Sequence, residues 1–416
     1  MANFAVASRP AKVDHNQTYV YYCRQMFKAT VNDTPKKEQL YQLIQANPFI
    51  SQQDLAVELG LSRSAVAGHI AGLIRERRLL GRAYVLPAPP DRRPLVCIGA
   101  ANVDRKLRTI ADLQAGTSNP ATATEAYGGV ARNIAENLAR LHTPVALLTA
   151  LGDDAAGRSL ADHAQAVGID TRGSLQLAAT ASGTYTAVLD GHGELFVALA
   201  DMALYDRLTP DFLASRQPQR AAAAMTVADL NLPHASVAAL LDDARTDGAP
   251  LVIVAVSQPK MARLPTDLRG LRLLILNRAE LETLAGRPLP TAADVGAACA
   301  AVQQRGARDV IVTCGSQGIF HTQHGQLVWL AAHQVDVIDV TGAGDAFSAA
   351  VCWSLYQGQD AGDDLTLACR RGLALAAVTV QSKDTVSASL DVALLDAILP
   401  TDAAPDHAAP LYTTHE

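Results

Sequence analysis

From Pro94 to about residue 380, short apolar runs alternate with segments of helical period. That alternation constrains the fold of this chain more than any other feature. The runs are "PLVCIGAANVD", "PVALLTALG", "APLVIVAVS", "LRLLILN" and "DVIVTCG"; the helical stretches are "VARNIAENLARL", "GRSLADHAQAVG", "ADVGAACAAVQQRG", "DAFSAAVCWSLYQG" and "DDLTLACRRGLALAAVTV". Strands that are apolar on both faces must be covered on both faces, and parallel pairing needs long crossovers, which helices supply. The expected class is therefore α/β, a parallel-rich sheet with helices on both sides. Residues 183–200, "GTYTAVLDGHGELFVALA", depart from the rule. They alternate with period two around a Gly-His-Gly turn, which predicts a hairpin wet on one face, suited to a lid over a pocket.

The front of the chain differs in pattern and in charge. Residues 1–93 hold thirteen Lys and Arg against seven Asp and Glu, a balance of +6, whereas the whole chain is −6 and the remainder is therefore −12. A basic front on an acidic body predicts two partners of different kinds. Residues 1–33 show no sustained period and read as a disordered leader, with Met26 as an alternative start. In residues 34–87, Thr34-Pro35 opens a helix that "NPF" ends. Ser51 with Asp54 resembles a capping box, and Leu55, Val57 and Leu59 run to a stop at Gly60. Ser62 opens a third helix with Val66, Ile70, Leu73 and Ile74 on one face, and "LLGRAYVL" closes as a hairpin around Gly81. Helix, tight turn, helix is a DNA-reading arrangement. Ser62, Arg63, Ser64 and His69 would meet the major groove, and Arg75, Arg77, Arg78 and Arg82 the phosphates. The stretch resembles the winged helix-turn-helix units of bacterial regulators; a small helical dimerisation domain with a basic face is the alternative. "PAPPDRRP", residues 87–94, reads as a proline-rich spacer. The expected domains are 34–87, a linker at 88–93, 94–400, and a flexible tail at 401–416.

Several classes drop out. No apolar run is long enough to span a bilayer, and the first residues lack a signal-peptide pattern, so the expectation is a cytoplasmic protein without a membrane partner. The six cysteines form no CxxC pair and read as reduced core thiols. The eleven histidines show no ligand spacing, and His321 with His324 read as a polar turn.

Four stretches carry candidate chemistry. "GAANVD" places Asn102 and Asp104 at the carboxyl end of the first strand, where open α/β sheets bind ligands. "YGGVARN" puts Gly128 and Gly129 before a helix with Asn133 one turn in, allowing close approach of a ligand and a bond to a hydroxyl. "NRAE", 277–280, ends a strand and starts a helix. "DVTGAGDAF", 339–347, sets Asp345 behind a Gly-Ala-Gly turn whose free N–H groups attract anions. Singly, each has a plain structural reading as a turn or a cap. A carboxylate beside an anion hole is awkward unless it takes a proton, and that suits phosphoryl transfer to a hydroxyl.

With "GGVARNIAENLARL" upstream of "DVTGAGDAF", the chain resembles the ribokinase (PfkB) family of sugar and nucleoside kinases over roughly residues 94–400. The resemblance implies a ribokinase-like sandwich with a small β lid, and an ATP-dependent kinase acting on the 5′-hydroxyl of a ribosyl compound. It implies Asp345 as the base and Gly342, Ala343 and Gly344 as the anion hole. Asn102, Asp104, Gly129 and Asn133 match sugar contacts. Asn277 and Glu280 match an Asn-x-x-Glu motif that organises magnesium and phosphate. Thr313 and Gly315, in "TCGSQG", match nucleotide contacts, and Asp339 and Thr341 match the positions that hold a monovalent cation, such as potassium, in many members. A homodimer paired through the lid is also implied. Within the family, "GGVARNIAENLARL", "VADLN" and "NRAELETLAG" resemble the pseudouridine kinase subgroup, which makes pseudouridine the expected substrate. Ala255 stands where that subgroup carries Asp-Pro, and Ile275-Leu276 where it carries Lys-Pro. An inosine or ribose kinase, or a regulator that uses the kinase-like part as a sensor, are the alternatives.

Overall fold

The computed structural model describes residues 35–46, 50–79, 93–358, 364–390 and 392–393. It divides into two compact units, Met1–Pro87 and Ala88–Glu416. The leader, Thr34, the "NPF" stop at 47–49, residues 80–86 of the predicted hairpin, most of the linker and the tail lie outside the described residues.

In the first unit, α1 (Lys36–Ala46), α2 (Gln52–Leu59) and α3 (Arg63–Arg75) bury Leu40, Ile44, Leu55, Leu59, Val66, Ile70, Leu73 and Leu79 in one core. Ser51 caps α2 by accepting the Asp54 N–H at 3.1 Å, and Gly60 closes it in the left-handed region at φ 62°. Val57, expected in the core, is 72% exposed, and Ala56 is buried instead. The positions 55, 57 and 59 repeat every two residues, a spacing no α-helix keeps on one face.

The second unit begins with β1 (Leu95–Ile98), β2 (Asn102–Thr109), β3 (Ala121–Gly128), α4 (Val130–Arg140), β4 (Val145–Leu148), β5 (Ala150–Gly152) and α5 (Ala155–Ala166). It continues through β6 (Ile169–Asp170), β7 (Leu175–Leu177), β8 (Thr184–Leu189), β9 (Leu195–Asp201), α6 (Pro210–Ser215), α7 (Gln217–Ala222), β10 (Met225–Asp229) and α8 (His234–Asp247). It ends with β11 (Leu251–Val254), β12 (Leu273–Asn277), α9 (Arg278–Ala285), α10 (Ala292–Gln304), β13 (Asp309–Thr313), β14 (Ile319–Gln323), β15 (Gln326–Leu330), α11 (Ala343–Gln357) and α12 (Leu365–Val380).

Among the described residues the main sheet has nine strands in the order β15-β14-β13-β12-β11-β10-β1-β4-β6. It is parallel from β13 to β6, and β14 and β15 add an antiparallel edge. Strand alternation divides the core as expected. Leu95, Cys97, Val227 and Ile275 pack under α4, α11 and α12, while Val96, Ile98, Ala228 and Leu274 pack under α8 and α10. The chain leaves β1 outward to β4 and β6 and then returns on the other flank at β10. The crevice at the carboxyl ends of β1 and β10 is thus the switch point where such sheets bind ligands.

A second sheet, β3-β2-β8-β9, forms the lid. The predicted hairpin is present as β8 and β9, but the lid is twice as wide as expected. "PLVCIGAANVD" is not one strand: β1 stops at Ile98, and Asn102 opens β2 in the other sheet. "PVALLTALG" likewise splits, β4 into the main sheet and β5 into a pair with β7. His321 is no turn residue. It is fully buried in β14 within 3.3 Å of Thr366 Oγ1, and burial pushes its pKa down to about 4, so it packs as a neutral ring. Among the described residues Cys97, Cys299, Cys314, Cys352 and Cys369 are free.

Candidate active site

The site forms where α11 begins. Gly342 is its N-cap, held in the left-handed region at φ 82°; a Cβ there would lie 2.1 Å from the Thr385 carbonyl oxygen, so only glycine fits. Beyond it, the N–H groups of Gly344 and Asp345 have no acceptor among the described residues. They form the free start of a helix, a place for developing negative charge. Asp345 is the third helical residue, and its Oδ2 accepts Asn133 Nδ2 from α4 at 2.7 Å. Burial raises the Asp345 carboxyl to about 7; the Asn133 bond opposes this, and the charges of Asp229 and Asp104 add to it. A carboxylate titrating near neutrality, with part of its surface open to the cleft, is matched to accepting a hydroxyl proton.

On the other wall, Asn102 Nδ2 donates to Asp104 Oδ1 at 2.6 Å. The missing side chains behind them have geometric causes. A Cβ on Gly128 would meet Asp104 Oδ2 at 2.2 Å, and one on Gly129, at φ 98°, would meet the Ala100 carbonyl at 2.4 Å. Burial pushes the Asp104 carboxyl up, against the Asn102 bond and the charges of Arg132 and Lys106. Asn133, expected to hold a hydroxyl, spends its amide within the protein: Nδ2 on Asp345, Oδ1 on Arg132 Nη1 at 2.8 Å.

Three contributors were not evident in the sequence. Arg132, nearly buried, is held by Glu136 and fixes which way the Asn133 amide faces. Asp229, at the end of β10, is fully buried and accepts the N–H groups of Ala100 at 2.9 Å, Ala131 at 3.0 Å and Asn231 at 2.8 Å. It thereby pins the crossing from β1 to β2 and the start of α4. A carboxylate ending the apolar run "MTVAD" is the one signal that could have found it. The third is Lys106 on β2, whose Nζ lies 2.6 Å from Asp339 Oδ2.

The residues expected on the nucleotide side lie at neighbouring strand ends. Asn277 on β12 pairs in register with Thr313 on β13, and Gly315 follows at φ 57°. Asn277 and Glu280 form a reciprocal capping box: Asn277 Oδ1 accepts the Glu280 N–H at 2.9 Å, and Glu280 Oε2 the Asn277 N–H at 2.7 Å. Among the described residues no cluster of His, Cys, Asp or Glu could cage a metal. Magnesium bound mainly through phosphates and water needs no such cage. Asp339, expected at a monovalent cation, has donors on both carboxylate oxygens. Oδ1 accepts the Thr341 N–H at 2.9 Å and its hydroxyl at 2.6 Å, and Oδ2 takes the Lys106 ammonium.

In the first unit, Arg63 and Ser64 are exposed at the start of α3, and Arg75 is exposed at its end. Ser62 uses its hydroxyl as the cap, accepting the Ala65 N–H at 3.1 Å, and His69 is half-buried. Arg78 is not free for phosphate. Both its Nη atoms bind Glu38 at 2.8 Å, and its guanidinium lies 4.0 Å from the centre of the Tyr41 ring. Arg77 is half-buried, and Arg82 lies outside the described residues.

Comparison with known proteins agrees with this geometry. Residues 92–392 match the pfkB family carbohydrate kinase model, and residues 34–76 match a winged helix-turn-helix DNA-binding model. An uncharacterized sugar kinase of Escherichia coli, YeiI, is 30% identical over 326 residues, 78% of this chain and 88% of that protein. The pseudouridine kinase of Escherichia coli is 34% identical over 262 residues, 62% of this chain and 83% of that protein. A carbohydrate kinase structure from Agrobacterium tumefaciens superposes with a TM-score of 0.64 at 30% identity, covering 74% of this chain and 97% of that one. Arabidopsis thaliana ribokinase, solved with ribose and ATP, shares the fold with a TM-score of 0.65 at 21% identity, over 74% of this chain and 99% of that one. The expected ribokinase-like fold is therefore correct. The enzyme is a phosphotransferase with an alcohol acceptor, preceded by a DNA-binding winged helix-turn-helix. The chain belongs to the pfkB family of carbohydrate kinases.

Proposed function

We propose that the protein transfers the γ-phosphoryl group of ATP to the 5′-hydroxyl of a ribosyl substrate, with pseudouridine the first candidate. The observation that carries this is Asp345, poised near neutrality next to two free helix N–H groups and facing the Asn102–Asp104 pair. Asn102 and Asp104 hold ribose hydroxyls, with Gly129 letting the sugar approach the backbone. Asp345 accepts the proton of the attacking hydroxyl. The amides of Gly344 and Asp345 stabilise the transferring phosphoryl group; the Ala343 N–H, also expected there, is already given to the Val340 carbonyl at 3.3 Å. Asn277, Thr313 and Gly315 bind the nucleotide. Magnesium neutralises charge on its phosphates, with Glu280 holding Asn277 in place.

The identity of 34% to a pseudouridine kinase supports the base preference. The exposed apolar residues Leu195, Phe196 and Leu199 on the lid's edge strand β9 support a homodimer joined there. The first unit, residues 34–87, binds DNA through Arg63 and Ser64, with Ser62, His69 and Arg82 as further contacts, and the protein works in the cytoplasm. Among the described residues no helix is long and apolar enough to cross a membrane. A pure ligand sensor would not need a base with the properties of Asp345. The test is a screen of the full chain with magnesium-ATP against pseudouridine, uridine, inosine and ribose, with the phosphorylated product read by mass. The highest kcat/KM is expected for pseudouridine. A clear preference for inosine or ribose overturns the substrate, and turnover of none of the four overturns the ribosyl reading.

A further inference from the structure

We propose that the ammonium of Lys106 stands in for the monovalent cation beside the anion hole, so that this enzyme works without potassium. The inference rests on the phosphoryl-transfer reading above and departs from what the family resemblance implies at Asp339 and Thr341. Asp339 lies three residues before Gly342, at the base of the turn that opens α11. Its Oδ1 curls the turn by accepting both the N–H and the hydroxyl of Thr341. An uncompensated carboxylate there would repel the phosphoryl group arriving at the free N–H groups of Gly344 and Asp345, so the turn needs a positive charge. In many chains a bound ion can supply it. Here Lys106 Nζ already sits 2.6 Å from the remaining oxygen. A second cation at Asp339 would meet like charge, and both carboxylate oxygens already accept a donor.

The source of the ammonium also matters. Lys106 is on β2, two residues beyond Asp104, so the two side chains leave the same face of one lid strand. The strand that carries the sugar-side carboxylate therefore also carries the charge that neutralises the anion-hole turn.

The test uses the full chain in potassium and in tetramethylammonium salts at one ionic strength, with two readouts. One is the phosphorylation rate with magnesium-ATP and the best substrate of the screen. The other is the thermal midpoint, which needs no substrate and therefore stands even if the substrate reading fails. The wild type is expected to change rate by less than about twofold between the salts and to show one midpoint in both. Lys106→Met keeps the stem and removes the charge. It should lose about tenfold or more in tetramethylammonium, less than the roughly hundredfold cost of removing a direct donor from an anion hole, because Lys106 acts through Asp339. Potassium should then restore part of that rate and raise that variant's midpoint. Lys106→Arg, which keeps the charge, should stay indifferent to potassium. A wild type that needs potassium, or whose midpoint potassium alone raises, overturns the proposal. So does a Lys106→Met enzyme with wild-type rate in both salts, which would make the pair an ordinary surface contact.

Discussion

Asn133 and Asp345 lie 212 residues apart in the chain, yet Asn133 Nδ2 donates to Asp345 Oδ2 at 2.7 Å. This bond joins the start of α4 to the start of α11 and lowers the proton affinity of the Asp345 carboxyl. It holds the carboxyl down against burial, which raises it to about 7. Removing the donor must raise the pKa further. In the wild type, kcat/KM for the nucleoside is expected to climb with pH through an apparent pKa of about 7. In Asn133→Ala the acid limb should move to higher pH. Measuring kcat/KM across pH 5.5–9 checks this, and an unmoved limb would show that the bond does not tune the base.

Asp345→Asn keeps the shape and removes the proton acceptor. Turnover should fall by about two to four powers of ten, the usual worth of a general base. The variant also makes a stability prediction. The native pKa of Asp345 is raised, so its contribution to stability is full below the unfolded value of about 3.9 and is lost as pH rises through about 7. The neutral amide escapes that loss. Asp345→Asn should therefore melt higher than the wild type at pH 8, with the difference closing towards pH 4. Calorimetry at both pH values decides it.

Asp104→Ala should act on the sugar side. Its carboxylate accepts from Asn102 and faces the cleft, and each polar group left unpaired costs about 1–3 kcal/mol. kcat/KM for the nucleoside should fall by about tenfold or more, the equivalent of that cost, while the KM for ATP stays close to the wild type. An equal loss for both substrates would assign Asp104 a structural role.

Two arginines of the first unit should separate cleanly. Arg63→Ala, at the exposed start of α3, should relax base preference at one position at a cost of about 1–3 kcal/mol of binding. Arg78→Ala should instead lower the melting point of the unit, because its bidentate bond to Glu38 and its stacking on Tyr41 tie the end of α3 to α1. Fluorescence anisotropy with operator DNA, set beside thermal melting, tests both. Loss of DNA affinity without loss of stability in Arg78→Ala would contradict the ion pair as its role.

Much of the main sheet was legible because its strands bury both faces. A run such as "LRLLILN" has few alternatives, and its Asn277 lies at the strand's carboxyl end by chain direction alone. The lid was half legible. β8 and β9 show their period of two, but β2, "NVDRKLRT", and β3, "ATATEAYG", bury too little apolar surface to leave a pattern. The breaks inside "PLVCIGAANVD" and "PVALLTALG" were invisible because hydrophobicity continues across them while the chain changes sheet.

By itself, the sequence determined the fold class, the two-part organisation of family matches, and the glycine turn with its carboxylate, because these depend on local patterns of apolarity, conformational freedom and charge. Only the tertiary structure decided what those side chains touch. It placed Asn133 on Asp345 rather than leaving it free, closed Arg78 onto Glu38, and laid Lys106 on Asp339. A hydrogen bond is satisfied within about 3 Å, and nothing in the linear order says which distant donor will come that close. That choice belongs to the packing of the lid and α4 against the start of α11, where long-range contacts, and not local propensity, set the charge balance of the site.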